Sequence, residues 1–357
     1  MHPTTGEKAC FNLYYFSMSA TQTFIIYQMS TPNIIRWGLI GCGEATERRG
    51  FPAFSAHKDC KVVAVMSREI ARAKAFAQKH GIDRWYNDVQ NLVTDPDIDA
   101  VYIATPPSTH ATYAVMALNA GKAVYVEKPL AISYDECLRI NRVAASTKQP
   151  CFAAYYRRYL PYFKKVDEII RSGTIGRVLT AQIRFAAPPR EMDYSSTNRP
   201  WRLQPDIAGG GYFYDLAPHQ LDILQHLFGP ITEAVGYPAN RGGLYKTEDT
   251  VAATMRFHSG MPASGTWCFV AHESAREDRI LVIGDKGQLS FSVFTYNPIH
   301  IQNEDGEQHI RVENPDVAQL PLLSRIVEHL QGGRICECDS VSATPTNWVI
   351  DRILGKL

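Results

Sequence analysis

The segment IIRWGLIGCGEAT, residues 34–46, decides how this chain is read. Its first eight residues are a short apolar run closed by glycine, the pattern of a strand covered on both faces of a parallel sheet. The run enters Gly41-Cys42-Gly43-Glu44-Ala45-Thr46, a G-x-G-x-x-T turn. Gly41 permits a tight turn. Gly43 lets the backbone at the helix start, through Cys42, Glu44 and Ala45, approach a pyrophosphate. Thr46 stands where a smaller residue usually eases packing of helix on strand. A plain glycine turn is the bland alternative, but the position after the first strand of a βαβ unit favours a dinucleotide site.

Outward from that turn the pattern repeats. KVVAVMS (61–67), DAVYIA (99–104), AVYV (123–126) and CFAAY (151–155) are strands of the same type. Between them lie REIARAKAFAQKHG, closed by Gly81, PSTHATYAVMALNAG, closed by Gly121, and SYDECLRINRVAAS, opened by a Ser133 cap. Strands alternating with helices predict a doubly wound α/β sheet, with ligands at the carboxyl ends of its strands. Past residue 150 the pattern changes. RVLTAQIRFAA (177–187), AATMRFHS (252–259), ASGTWCFVAHE (263–273), DRILVIG (278–284) and QLSFS (288–292) follow one another without intervening helices. They predict an α+β region with an open, mostly antiparallel sheet, apolar on both sides. LPLLSRIVEHLQGG and TNWVIDRIL read as closing helices. The expected division is a dinucleotide-binding domain over 31–150 and a substrate-binding and oligomerisation domain over 151–357. Residues 1–30 lack periodicity and are expected to be disordered or not translated, with the start near Met29.

The totals exclude several functions. Lys plus Arg is 37 and Asp plus Glu is 36, a net charge of +1, which gives no footprint for nucleic acid or a membrane surface. The eight cysteines contain no C-x-x-C pair and read as free thiols of a reducing, cytoplasmic compartment, with no metal ligands among them. No run of about 18 apolar residues exists.

Three segments carry chemistry. At the end of the second strand stand Ser67, Arg68 and, one helical turn on, Arg72, where an NAD site usually holds an acid. A hydroxyl and two guanidinium groups suit a 2′-phosphate, so NADP(H) is favoured over NAD(H). At the end of the fifth strand-like segment, Glu127-Lys128-Pro129 places a lysine where a substrate oxygen would lie. In GGGYFYDLAPHQLD (209–222), Asp215, His219 and Asp222 fall at i, i+4 and i+7, on one helix face. Alone, this stretch reads as a solvated polar face. Histidine has the pKa to move a proton near neutrality, and a carboxylate one turn away would orient it.

GLIGCGEAT (38–46), ATPPSTH (104–110), AGKAVYVEKPLA (120–131), YYRRYLP (155–161), WR (201–202), GGGYFYDLAPHQLD, EDTVAATMRF (248–257), IGDKGQLSFS (283–292) and LPLLSRIVEHLQGG (320–333), in this order, resemble the glucose–fructose oxidoreductase/inositol dehydrogenase/MocA family. The resemblance implies a nicotinamide-dependent oxidoreductase of sugars, polyols or related compounds, forming a homodimer or homotetramer through the second sheet. It implies a catalytic set of Lys128, Asp215 and His219, with His219 as general base and Asp215 positioning the imidazole or a neighbouring hydroxyl. It places Thr105, Pro106, His110, Glu127, Arg158, Trp201 and Arg202 beside the cofactor, and Tyr155 and Arg157 beside the substrate. Tyr194 and Arg202, in the 188–208 loop, are further candidate contacts; Asp222 is read as supporting. The alternatives are a hydrolase or lyase that oxidises its substrate transiently with bound NAD, and a dinucleotide-sensing regulator without catalysis.

Overall fold

The computed structural model describes residues 34–195, 197 and 200–357; the extension expected over 1–30 lies outside them. Six strands, β1 (Ile35–Ile40), β2 (Cys60–Met66), β3 (Arg84–Tyr86), β4 (Ala100–Ile103), β5 (Ala123–Val126) and β6 (Cys151–Ala153), form a parallel sheet in the order 3-2-1-4-5-6. Helices α1 (Phe51–Ala56), α2 (Ile70–His80), α3 (Val89–Val93), α4 (His110–Asn119) and α5 (Tyr134–Thr147) make the crossovers. β4, β5 and β6 are buried at every residue, as apolar strands with both faces covered must be. The helix signals hold: Gly81 closes α2 with φ +66°, and the Ser133 hydroxyl caps α5 by accepting from Glu136 N at 3.2 Å. The strand order reverses between β1 and β4, which opens a crevice at their carboxyl ends.

The second sheet has eight strands: β7 (Val178–Ala186), β8 (Ile231–Ala239), β9 (Thr250–Phe257), β10 (Pro262–Cys268), β11 (Glu277–Gly284), β12 (Gly287–Phe291), β13 (Ile299–Asn303) and β14 (Gly306–Ile310). Their order is 14-13-12-11-7-10-9-8, and only the β7–β10 pair is parallel. One sequence expectation is corrected here. β9 alternates, with Val251, Ala253, Met255 and Phe257 buried and Ala252, Thr254 and Arg256 exposed, so the sheet has one apolar face rather than two. Helices α6 (Pro161–Arg171), α7 (Pro205–Ala208), α8 (Tyr212–Phe228), α9 (Leu320–Leu330) and α10 (Ser340–Ile353) complete the chain. The inner face is covered by α8, where Phe213 meets Trp267 edge-on at 5.0 Å and Trp267 Nε1 donates to Gln220 Oε1 at 2.6 Å. It is also covered by α10, which lies so close to β8 that a Cβ on Gly236 would sit 2.3 Å from the Ile353 carbonyl oxygen. Among the described residues no helix is long and apolar enough to cross a membrane.

Helix α8 thus lies between the two sheets, and 11 of its 17 residues are buried. A solvated polar face is impossible there, so each polar side chain needs a partner. Asp222 has Arg158, which follows β6. Arg158 donates from Nε to Oδ2 at 2.9 Å and from Nη2 to Oδ1, and its remaining donors reach Ser342 on α10. Burial alone would lower the Arg158 pKa, but Asp222 outweighs it and raises it. The pair therefore ties the end of the first sheet, α8 and α10 together.

Removing one member of such a pair leaves a buried charge without a counter-ion. Asp222→Ala is expected to cost about 3–5 kcal/mol of folding stability. Urea unfolding would check this, and a loss under about 1 kcal/mol would show that Arg158 finds another partner or water.

Candidate active site

At the end of β1 the backbone turns on Gly41, whose φ is +105° and whose added Cβ would lie 2.7 Å from the Ala104 carbonyl oxygen. Only glycine fits so near β4. Gly41 N donates to Met66 O at 2.9 Å and the Cys42 thiol lies 3.6 Å from the same oxygen, so the end of β2 sits beside the turn. Gly43 has open space where a side chain would stand. The N–H groups of the first helical turn, at Glu44 and Ala45, have no acceptor within the helix. Open space and free donors fit a dinucleotide pyrophosphate. Thr46 is fully buried and its hydroxyl closes the turn on Gly41 O at 2.6 Å, so it serves as a hydrogen-bonding substitute for a third glycine. The helix then runs as a wide π-type turn over Thr46–Gly50.

On the β2 side, the Ser67 hydroxyl accepts from Glu69 N at 3.3 Å. Arg68 lines a shallow recess with Asn87, Asp88 and Tyr113. Arg72 pairs with Glu69 at 3.2 Å, in solvent. On the β4 side, Thr105 and Pro106 form the tip beside Gly41. His110 reaches that tip from within the fold. Its ring is buried between Pro129 O at 2.9 Å and Thr105 O at 2.8 Å, and clamps the β4 and β5 loops together. Burial lowers its pKa against the pull of those two carbonyls.

The β5 rim holds the next group. Glu127 is buried and accepts from the Tyr102 hydroxyl at 2.7 Å and Gln319 Nε2 at 2.6 Å. Lys128, whose peptide bond to Pro129 is cis, donates from Nζ to the Asp215 backbone oxygen and to Asp215 Oδ1, both at 2.8 Å. Arg202 Nε reaches the other Asp215 oxygen at 3.1 Å, and its guanidinium stacks 4.5 Å from the Trp201 ring. Burial would raise the Asp215 pKa, but Lys128 and Arg202 outweigh it and hold the carboxyl at about 2.

His219 has a partner the sequence did not suggest. Its Nδ1 accepts from Arg157 Nη1 at 2.8 Å, while Asp215, expected to position the imidazole or a neighbouring hydroxyl, bonds to Lys128 and Arg202. The reason is spatial: spacing along a helix sets the face, and neighbours from other elements set the pairing. Arg157 can only donate. A flipped ring would press a C–H on the guanidinium at this distance, so Nδ1 is the acceptor and neutral His219 carries its proton on Nε2. Burial, then the charges of Arg157, Lys128 and Arg49, drives the His219 pKa well below its ordinary value.

Two further expectations are corrected. Tyr155 is fully buried with no hydrogen bond to its hydroxyl, so it packs in the core and touches no open pocket. Arg158, expected beside the cofactor, is locked on Asp222. Tyr194 is exposed. Missed by sequence reasoning was Arg49, on the π-type turn, whose charge acts on Glu127, Tyr156, Asp215 and His219. The tandem arginines after the glycine turn were its only signal. A cavity of about 770 Å³ adjoins the site, walled by Phe185, Arg190, Tyr212, Leu216, Phe269 and Phe294. Phe294 also meets the His219 ring edge-on at 5.8 Å. On the β13–β14 hairpin, His300, Glu307 and His309 have the spacing of metal ligands, a group the sequence pattern did not reveal.

Residues 35–155 match the oxidoreductase family with an NAD-binding Rossmann fold, and residues 163–290 match the GFO/IDH/MocA C-terminal domain. The chain is 34% identical to Oxidoreductase P35 of Formosa agariphila over 321 residues, 90% of this chain and 98% of that one. It is 30% identical to 1,5-anhydro-D-fructose reductase of Ensifer adhaerens over 295 residues, 80% of this chain and 86% of that one. The fold matches that of KijD10, a 3-ketoreductase from Actinomadura kijaniata solved with NADP and TDP-benzene. The TM-score is 0.77 at 24% identity, over 90% of this chain and 98% of that one.

The depressed His219 pKa has a stability consequence. As pH falls below about 6.5, the unfolded chain binds a proton at this histidine that the native state refuses, so stability falls with acidification. The slope from one such group approaches about 1.4 kcal/mol per pH unit. Urea unfolding between pH 7.5 and 5 should show a shallower decline for His219→Gln than for the unaltered protein; parallel declines would place the imidazolium within reach of solvent.

Proposed function

The chain belongs to the Gfo/Idh/MocA oxidoreductase family, and from that premise we propose that it interconverts an alcohol and a carbonyl on a sugar, polyol or related compound with a nicotinamide dinucleotide. The observation that carries this reading is the convergence of Lys128, Asp215 and His219 beside the glycine turn. Gly41, Cys42, Gly43, Glu44, Ala45, Thr105 and Pro106 would hold the dinucleotide, with Trp201 and Arg202 beside it. When bound there, the nicotinamide supplies the two-electron exchange.

The chain's residues supply protons and charge control. Lys128, fixed by Asp215, gives its ammonium proton to the oxygen of a carbonyl as that oxygen gains charge. The Nε2–H of His219 donates a second hydrogen bond to the same oxygen. This exchanges the parts read from sequence, because a histidine whose Nδ1 is occupied by a guanidinium and whose Nε2 is already protonated has no free site to act as base.

NADP(H) is the preferred cofactor in this reading. Glu69, the acid nearest in sequence to the end of β2, is engaged by Arg72, while Ser67 and Arg68 remain able to meet a 2′-phosphate. Two copies or four associate through the outer face of the second sheet, where Val235 and Tyr237 are exposed. A reducing, cytoplasmic setting fits the described cysteines, all of them free thiols.

Reduced-nicotinamide fluorescence with aldoses, inositols, polyols and their ketones tests the reaction. Lys128→Met is expected to lower kcat by about 10²–10⁴-fold with dinucleotide affinity retained; equal loss of both would make Lys128 a structural residue. Arg68→Ala is expected to weaken NADPH binding by about 10-fold or more and to leave NADH binding nearly unchanged. Equal effects on the two would remove the argument for NADP(H).

A further inference from the structure

The edge of the second sheet carries a group of side chains that the reaction does not use. β13 and β14 form its last hairpin, and their register sets His300 directly opposite His309 and Gln302 directly opposite Glu307. Residues two apart on a strand share a face. His300, Glu307 and His309 therefore stand together on one face, while Ile299 and Ile301 are buried on the other. The backbone under this row is well fixed. At the turn, Gly306 adopts a φ of +113°, Asn303 Oδ1 accepts from Asp305 N at 3.0 Å, and Asn303 Nδ2 donates to Thr174 O at 3.2 Å. Beside the row, Gln302 Oε1 accepts from Gln288 Nε2 of β12 at 2.7 Å.

The arrangement of the three is not that of a simple ion pair. One oxygen, Glu307 Oε1, faces both rings, with His300 Nε2 at 2.8 Å and His309 Nε2 at 3.2 Å. The imidazoles are stacked, with 4.7 Å between their centres and 21° between their planes. Two imidazolium cations so stacked would repel each other, with one carboxylate against them. His300 Nε2 is shielded from solvent and, despite its distance from Glu307, is not aligned for a hydrogen bond. A shielded nitrogen without a bond is costly. A dication answers all of this at once, taking a lone pair from each neutral ring and balancing the acid. The three donor atoms lie within 4.8 Å of one another. Around a tetrahedral ion, with ligands at about 2.0–2.2 Å, they would stand about 3.4 Å apart. Glu307 and His309, both exposed, can rotate to make that adjustment.

We propose that His300, Glu307 and His309 bind a divalent late transition-metal ion, of the zinc or nickel kind, with water completing its shell. Two imidazoles and one carboxylate favour such ions over magnesium or calcium, which prefer oxygen ligands. His300, partly buried, anchors the site, and the exposure of Glu307 and His309 leaves a way in for the ion. The ion clips β14, the outermost strand of the sheet, to β13. None of the three ligands belongs to the Lys128–Asp215–His219 centre, and no step of the reaction runs through the ion.

The test is equilibrium dialysis of the EDTA-treated full chain against ZnCl2 and, separately, MgCl2 at neutral pH. The hairpin should take one Zn²⁺ with a Kd of about 10 μM or tighter, and no Mg²⁺ at that level. Free thiols elsewhere in the chain also bind zinc, so the reading is the difference between the unaltered protein and its variants. His309→Ala and Glu307→Gln, both at exposed positions where folding is not at stake, should each weaken one equivalent of bound Zn²⁺ by about 10-fold or more, and so should His300→Ala. Zinc bound equally by the unaltered protein and all three variants would belong to the thiols and would overturn the proposal. Absence of zinc binding, or Mg²⁺ held as tightly as Zn²⁺, would overturn it too.

Discussion

Everything in this molecule is arranged around one constraint: helix α8 is largely buried, yet it carries Asp215, His219 and Asp222. A buried acid or imidazole is tolerated only with a partner. The partners come from the rim of the first sheet, where Lys128 follows β5 and Arg157 and Arg158 follow β6. Three contacts at successive turns fix the helix in rotation and height against that rim. They also couple the dinucleotide fold to the second sheet, since the opposite side of α8 packs on Trp267 and α10. The same bonds that satisfy the buried groups therefore place reactive groups beside the glycine turn.

The three contacts differ in kind. Arg158 and Asp222 form a closed, two-armed ion pair whose charges cancel, which suits a structural joint. Lys128 and Asp215 form a pair that Arg202 leaves with a surplus of positive charge. Arg157 and His219 join a cation to a neutral acceptor, so no charge cancels at all. Along a few residues of one helix the balance shifts from neutral at the deep end to positive at the cleft. Dry surroundings make such a gradient strong, because little water remains to screen it.

Much of this was legible in the sequence. The β1–Gly41 turn was readable because only glycine allows that φ, and the β5 lysine because its strand was a clean apolar run. The i, i+4, i+7 spacing correctly placed Asp215, His219 and Asp222 along one helix. It did not say who meets them. Residues 155–158 show why: Tyr155, Arg157 and Arg158 are near neighbours in sequence, yet one enters the core, one reaches His219 and one reaches Asp222. The turn that follows β6 sends consecutive side chains in different directions, and no periodicity encodes that. β3 was too short to read, and β8 and β14 are too exposed to carry an apolar pattern. Arg49 had no signal in the sequence beyond its place in the tandem arginines after the glycine turn.

The choice of arginine behind the histidine decides which residue handles the proton. A carboxylate at Nδ1 would accept an N–H there, leave Nε2 as a free lone pair and stabilise the imidazolium, which makes a base. A guanidinium does the reverse on every count. It donates to Nδ1, forces the proton onto Nε2 and repels the imidazolium. The histidine is left as a neutral donor, able to polarise an oxygen and unable to take its proton. Lys128, by contrast, is held on a carboxylate, Asp215. A single side chain one position before the structural Arg158 thus fixes which imidazole nitrogen carries the proton.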